Sequence, residues 1–121
     1  MSTDEAKQFE RTISLIPVAF RSRVRRLVLL TLMSRRGAWA SISEIARESR
    51  LSPNQVVGAL RGSKNQYDPG LSLLRLNIAR EEVLEISRKK KQKTYRFQPQ
   101  NKILQDTIDR VLARYQSSGE S

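Results

Sequence analysis

The stretch that most constrains this chain is 42–60, where Ile45, Ala46, Leu51, Val56 and Leu60 are spaced to pack two short helices across a tight turn. Ala46 is small enough to permit a close crossing. Ser43 is expected to cap the first of these helices. Ser52-Pro53 opens the second: Ser52 can accept a bond from an otherwise unpaired amide, and Pro53 loses nothing at the first helical position by lacking its own. Once Val56 and Leu60 face inward, Asn54, Gln55, Gly58 and Arg61 lie on the opposite face, turned toward a partner.

On the N-terminal side, Thr3 with Asp4 and Glu5 starts a helix whose Phe9, Ile13 and Ile16 share a face until Pro17 interrupts it. A second helix is expected from Pro17 to about Arg36, with Phe20, Val24, Leu27, Val28, Leu30 and Leu32 facing the core and Gly37 at its end. Residues 38–42, including Trp39, read as an extended connection. Downstream, 64–70 carries dense turn chemistry, from Lys64 and Asn65 to Pro69 and Gly70. Residues 71–76 continue the core. Residues 80–87, with Val83, Leu84 and Ile86 as strand or core positions, fit a helix or a strand. As a strand they can pair with 94–97 around a solvated turn at 88–93. Asn101 caps a last helix running to about Tyr115. The expected organisation is a helical extension at 1–16, a central domain at 17–98, a C-terminal helix at 99–116 and a disordered tail at 117–121.

Charge narrows the partner. Lys and Arg number 23 against 12 Asp and Glu, a formal net charge of +11, which favours duplex DNA, RNA or an anionic membrane surface. Arg88, Lys89, Lys90, Lys91, Lys93 and Arg96 fall together with no acid among them. The chain contains no Cys and no His, which removes disulfides, thiolate nucleophiles and the usual zinc sites. No phosphate-cradling glycine loop or metal-ligand spacing is present, so neither an enzyme nor a cofactor is expected. The N-terminus lacks a signal-peptide pattern, and the longest apolar run, 27–33 with Thr31 inside it, is too short to span a bilayer. A cytoplasmic protein without a membrane partner is the expectation.

In order, the elements read helix, extended piece, helix, tight turn, helix, loop, basic hairpin, helix. Through Ile16-Pro17, Arg25-Arg26-Leu27, Ile45-Ala46, Leu51-Ser52-Pro53-Asn54-Gln55-Val56 and Gly58-Ala59-Leu60-Arg61-Gly62, the chain resembles the winged helix-turn-helix transcriptional regulators, small archaeal members in particular. The resemblance covers roughly 16–97. Such proteins often carry Ser-Leu-x-x-Leu-Gly-Leu-Val before the wing. Here Ser72-Leu73-Leu74-Arg75-Leu76-Asn77-Ile78-Ala79 matches it with Asn77 for Gly, and Asn tolerates a left-handed backbone. The resemblance implies a mainly α fold with a small β-hairpin wing (α+β), flanked by N- and C-terminal helices. It also implies a nucleoid-associated, DNA-binding regulator of transcription.

On that reading Asn54 and Gln55 can pair with adenine and Arg61 with guanine in the major groove, while Gly58 allows close approach at a cost of about 1 kcal/mol in helix propensity. The alternative is that Asn54 and Gln55 support the first turn and Gly58 packs. Ser52, Lys64 and the run Arg88, Lys89, Lys90, Lys91, Lys93 and Arg96 are candidates for phosphate contact. Arg21, Arg23, Arg25 and Arg26 divide between pairing with Glu44 or Glu48 and touching the DNA backbone, and Trp39 and Tyr67 read as packing residues. Leu104, Ile108, Val111 and Tyr115 form a stripe suited to a homodimer seam over a near-palindromic operator, or to packing within the chain. Competing readings are a non-sequence-specific architectural or chromatin protein, a protein-interaction module meeting the transcription machinery, and RNA binding.

Overall fold

Pro17 does not end the first helix. The computed structural model describes residues 3–64 and 66–117, and α1 (Thr3–Ala19) runs through Pro17. In a last turn a missing amide forfeits one intrahelical bond, and Phe20 still donates to the Ile16 carbonyl at 3.1 Å. The break comes at 20–22, where Arg21 and Ser22 tighten to three-residue bonds with Val18 and Ala19. Ser22 then caps α2 (Arg23–Ser34), its Oγ accepting from the Arg25 amide at 3.3 Å. The expected single helix from Pro17 to Arg36 is therefore corrected at its start, and the expected boundary at 16/17 falls inside α1. Leu30, expected in the core, is exposed.

A two-residue strand, β1 (Ala40–Ser41), leads into α3 (Ile42–Ser49). Ser41, not Ser43, is its cap: Ser41 Oγ accepts from the Glu44 amide at 3.2 Å while Glu44 Oε1 accepts from the Ser41 amide at 3.1 Å. Glu44 stands three residues after Ser41, the spacing a reciprocal cap needs. Arg50 adopts φ 60° to close α3, and Ser52 caps α4 (Pro53–Arg61) in the same reciprocal manner with Gln55.

After α4 the chain makes a short 3-10 helix at Pro69–Leu71 and reaches Asn77, whose φ of 60° is the left-handed turn anticipated for an Asn standing where Gly is common. The segment that fitted helix or strand is a strand. β2 (Ala79–Ser87) pairs with β3 (Lys90–Phe97), β3 pairs with β1, and the antiparallel order is β1-β3-β2. The hairpin turn is only Arg88-Lys89, so Lys90, Lys91 and Lys93 belong to β3 rather than to a longer loop. Opposite charges face each other across the ladder at Glu85 and Lys91.

α5 (Lys102–Ser117) is capped by Asn101, whose Oδ1 accepts from the Leu104 amide at 2.9 Å, and it packs against α1. Leu104, Ile108, Val111 and Leu112 join Ile16, Phe20, Leu32, Ile45, Leu60 and Tyr95 in one core. Leu104, Ile108 and Val111, the stripe offered for dimerisation, are thus covered within the chain, and Tyr115 lies half-buried beneath Arg26. The Thr3 side chain, Asn65 and residues 118–121 of the tail expected at 117–121 lie outside the described residues, while residue 117, expected in that tail, belongs to α5. Among the described residues no helix is long and apolar enough to cross a membrane.

Candidate nucleic-acid interface

α4 begins with a bonded turn. Ser52 Oγ accepts from the Gln55 amide at 3.2 Å, and Gln55 Oε1 accepts from the Ser52 amide at 2.9 Å, so the Gln55 side-chain oxygen is engaged inside the helix start. At the other end, Arg61 Nη2 lies 2.9 Å from Glu81 Oε2 on β2. Glu81 stands opposite Tyr95 on β3. Burial, and then the adjoining Glu81 carboxylate, raise the Tyr95 phenol well above its ordinary range. Arg61, Glu81 and Tyr95 thereby fix the last turn of α4 against the base of the hairpin.

Gly58 is buried, and a Cβ there would collide with the Tyr67 ring. Its lack of a side chain therefore makes room for Tyr67 in this structure, the packing alternative weighed for it. Asn54 is exposed. It lines a cleft with Val57, Gly58, Ser63, Lys64 and Gln66, so the loop after α4 borders the face assigned to base reading. Sequence reasoning named Lys64 but not Gln66 among the residues that line this cleft; the one local signal was a glycine mid-helix with an aromatic residue nine positions on.

A second groove is lined by Ser41, Ile42, Ser43, Pro53, Lys91, Gln92 and Lys93. The N-terminal ends of α3 and α4 here face the inner lysines of β3. Arg88, Lys89 and Lys90 are exposed at the hairpin tip. Arg96 is set apart at the hairpin base, stacked 4.6 Å from the Trp39 ring centroid and donating from Nε to Gln98 Oε1 at 2.7 Å. Glu81, Glu82 and Glu85 all lie on β2, so the positive charge of the hairpin concentrates on its turn and on β3. Val83, Leu84 and Ile86 are strand residues but not core: all three are exposed.

Arg25 and Arg26, at the start of α2, meet carbonyls and aromatic rings and not Glu44 or Glu48. Arg26 donates to the Phe20 carbonyl at 2.7 Å and to the Arg21 carbonyl at 3.2 Å, with its guanidinium 3.9 Å from the Tyr115 centroid. Arg25 donates to the Asp68 carbonyl at 3.4 Å and lies over Tyr67. Burial lowers the Arg25 pKa, with Asp68 and Tyr67 opposing that shift. Glu44 and Glu48 pair with Arg35 instead, at 3.0 and 2.9 Å. Among the described residues no acidic cluster suited to a metal ion occurs.

By class, then, the described residues form an α+β fold: five α-helices and a three-stranded antiparallel sheet whose hairpin carries an exposed basic turn and exposed lysines on β3. The chain belongs to the EarA-like family, whose model matches residues 12–108. No curated protein and no solved structure matches it.

Proposed function

We propose that the protein is a DNA-binding transcriptional regulator of the winged helix-turn-helix type, acting at the nucleoid and not as an enzyme. α3 and α4 form the helix-turn-helix, α4 enters the major groove, and the β2–β3 hairpin is the wing. The observation that carries this reading is the groove in which Lys91 and Lys93 of the hairpin face the start of α4. A phosphate strand laid there would bring the α4 face that bears Asn54 toward the bases. Arg88, Lys89, Lys90, Lys91 and Lys93 hold phosphates. Neutralising five of them gives a slope of about −4.5 in log affinity against log salt. Ser52, with its hydroxyl in the cap, contributes through the helix start, and Lys64 joins from the loop. A homodimer on a near-palindromic site requires a surface other than the Leu104, Ile108 and Val111 stripe.

One observation favours a second reading, an architectural protein without sequence preference. Of the four residues expected to read bases, Gln55, Gly58 and Arg61 are engaged within the chain and only Asn54 stands clear. Selection of bound duplexes from a random DNA pool at about 150 mM salt, where nonspecific attraction is weakened, separates the two. An enriched motif is the expected result. Bound DNA without a motif establishes the architectural reading, and no binding overturns both.

A further inference from the structure

We infer that the loop after α4 supplies part of the base-reading surface, with Gln66 reading a base across a cleft from Asn54 while Lys64 beside it holds a phosphate; this rests on the DNA-binding reading above. On α4 itself the side-chain oxygen of Gln55 is held by the Ser52 amide, Arg61 is paired with Glu81, and Gly58 has no side chain. Asn54 alone is too little for a readable site. Lys64 and Gln66 are both exposed and line the same cleft as Asn54. Gln can bond adenine through two contacts, and Lys64 next to it can anchor the same strand by its phosphate.

The described residues of the loop are bonded to one another and to α4. Ser63 Oγ accepts from the amides of Gln66 at 3.3 Å and Tyr67 at 3.1 Å, while the Ser63 amide donates to the Tyr67 carbonyl at 2.8 Å. Tyr67 lies on Gly58 and beneath Arg25 of α2. Gly62, at φ 87°, turns the chain where a Cβ would strike the Pro69 backbone. Beyond the loop, the amides of Leu73 and Leu74 donate to the carbonyls of Ala59 and Leu60 at 3.0 and 3.1 Å, so both ends are fastened to α4. A glycine at 58 therefore seats Tyr67, and Tyr67 holds the reading loop against the helix.

The test is selection from a random duplex pool with the unaltered chain and with Gln66→Ala, Asn54→Ala and Gly58→Ala, each checked for its fold by circular dichroism. Gln66→Ala is expected to lose preference at one base pair by about 5- to 100-fold, the range of one good base contact, and to keep the rest of the motif. Asn54→Ala loses preference at a different base pair. Gly58→Ala, which displaces Tyr67, relaxes the Gln66 position while the Asn54 position persists. A Gln66→Ala motif identical to that of the unaltered chain, or an equal loss on every sequence, overturns the inference and leaves DNA binding standing. An unaltered chain that selects no motif overturns the inference together with sequence-specific regulation.

Discussion

Two clusters of cations, 21–26 and 88–93, look alike in the sequence, yet the structure buries two arginines of the first, leaving Arg21 and Arg23 exposed, and buries none of the second. In α2, Arg25 and Arg26 are only 6% and 8% exposed, held by backbone carbonyls and aromatic rings. In the hairpin, Arg88, Lys89, Lys90, Lys91 and Lys93 are all exposed. The apolar period of the neighbours decides the difference. Val28, Leu29 and Leu32 lie three, four and seven residues beyond Arg25, so the first turn of α2 presents Arg25 and Arg26 to the core side. The hairpin extends past the core, and residues 82–91 of its distal half are all exposed. Chemistry agrees with position: a planar guanidinium can satisfy carbonyls and stack on a ring when buried, whereas lysine keeps a compact, strongly hydrated charge.

The comparison breaks most visibly at the hairpin. Replacing Lys89, Lys90, Lys91 and Lys93 with Ala should make the salt slope of duplex binding shallower by about 3 to 4 units and cost about three orders of magnitude in affinity near 0.15 M salt. Thermal stability should hardly move, since these side chains contact little. Binding titrations over a salt series, beside a melting curve, measure both. An unchanged slope would mean that the exposed run is a solvated face and that the affinity comes from elsewhere.

Arg26→Ala is the mirror experiment. Loss of two carbonyl partners and of the stack on Tyr115 should destabilise the fold by about 2 to 3 kcal/mol in chemical denaturation. The protein that remains folded should keep its duplex affinity and its salt slope. A large loss of affinity at unaltered stability would place Arg26 in the interface and erase the distinction between the clusters.

Where the sequence reading succeeded, the cause lay within a few residues. Ser52-Pro53 starts α4, Asn77 takes the left-handed turn, and Asn101 caps α5, each through bonds to near neighbours. It fell short where a partner comes from another element. Nothing local indicates that Arg61 would pair with Glu81 twenty residues away, or that Tyr67 would fill the space at Gly58. Two competent serines near one helix start left the cap to be decided by Glu44, whose spacing selects Ser41 over Ser43. The stripe on α5 was legible as apolar. Its partner was not, because a seam for a second copy and a seam for α1 have the same spacing.

A smaller effect sharpens the contrast at the α4 end of the hairpin. Glu81→Gln removes the charge that holds Arg61, a pairing of about 0.5 to 1 kcal/mol at a partly exposed site. Released toward the groove, Arg61 should strengthen duplex binding a few-fold and add about 0.9 to the steepness of the salt slope. Weaker binding would mean that Arg61 matters by fixing the hairpin angle, which is a positioning role and not a contact.

The smallest effect concerns Arg35, which joins neither cluster and bridges Glu44 and Glu48 to tie α2 to α3. Glu44 titrates below its ordinary value of 4.5, chiefly because the Ser41 amide bonds its charged form, then through the Ser41 hydroxyl, with Arg35 adding less. A carboxylate lowered on folding contributes stability that is present above its unfolded pKa and is lost as pH falls through the folded one. Denaturation between pH 7 and pH 3 should therefore show an acid-side loss that Glu44→Gln reduces and Arg35→Ala reduces less, since the cap outweighs the ion pair. If Arg35→Ala removes as much of the acid dependence as Glu44→Gln, the ion pair and not the cap fixes this helix start. The half-buried arginine would then be doing electrostatic work like that proposed for the hairpin, rather than the packing work of Arg25 and Arg26.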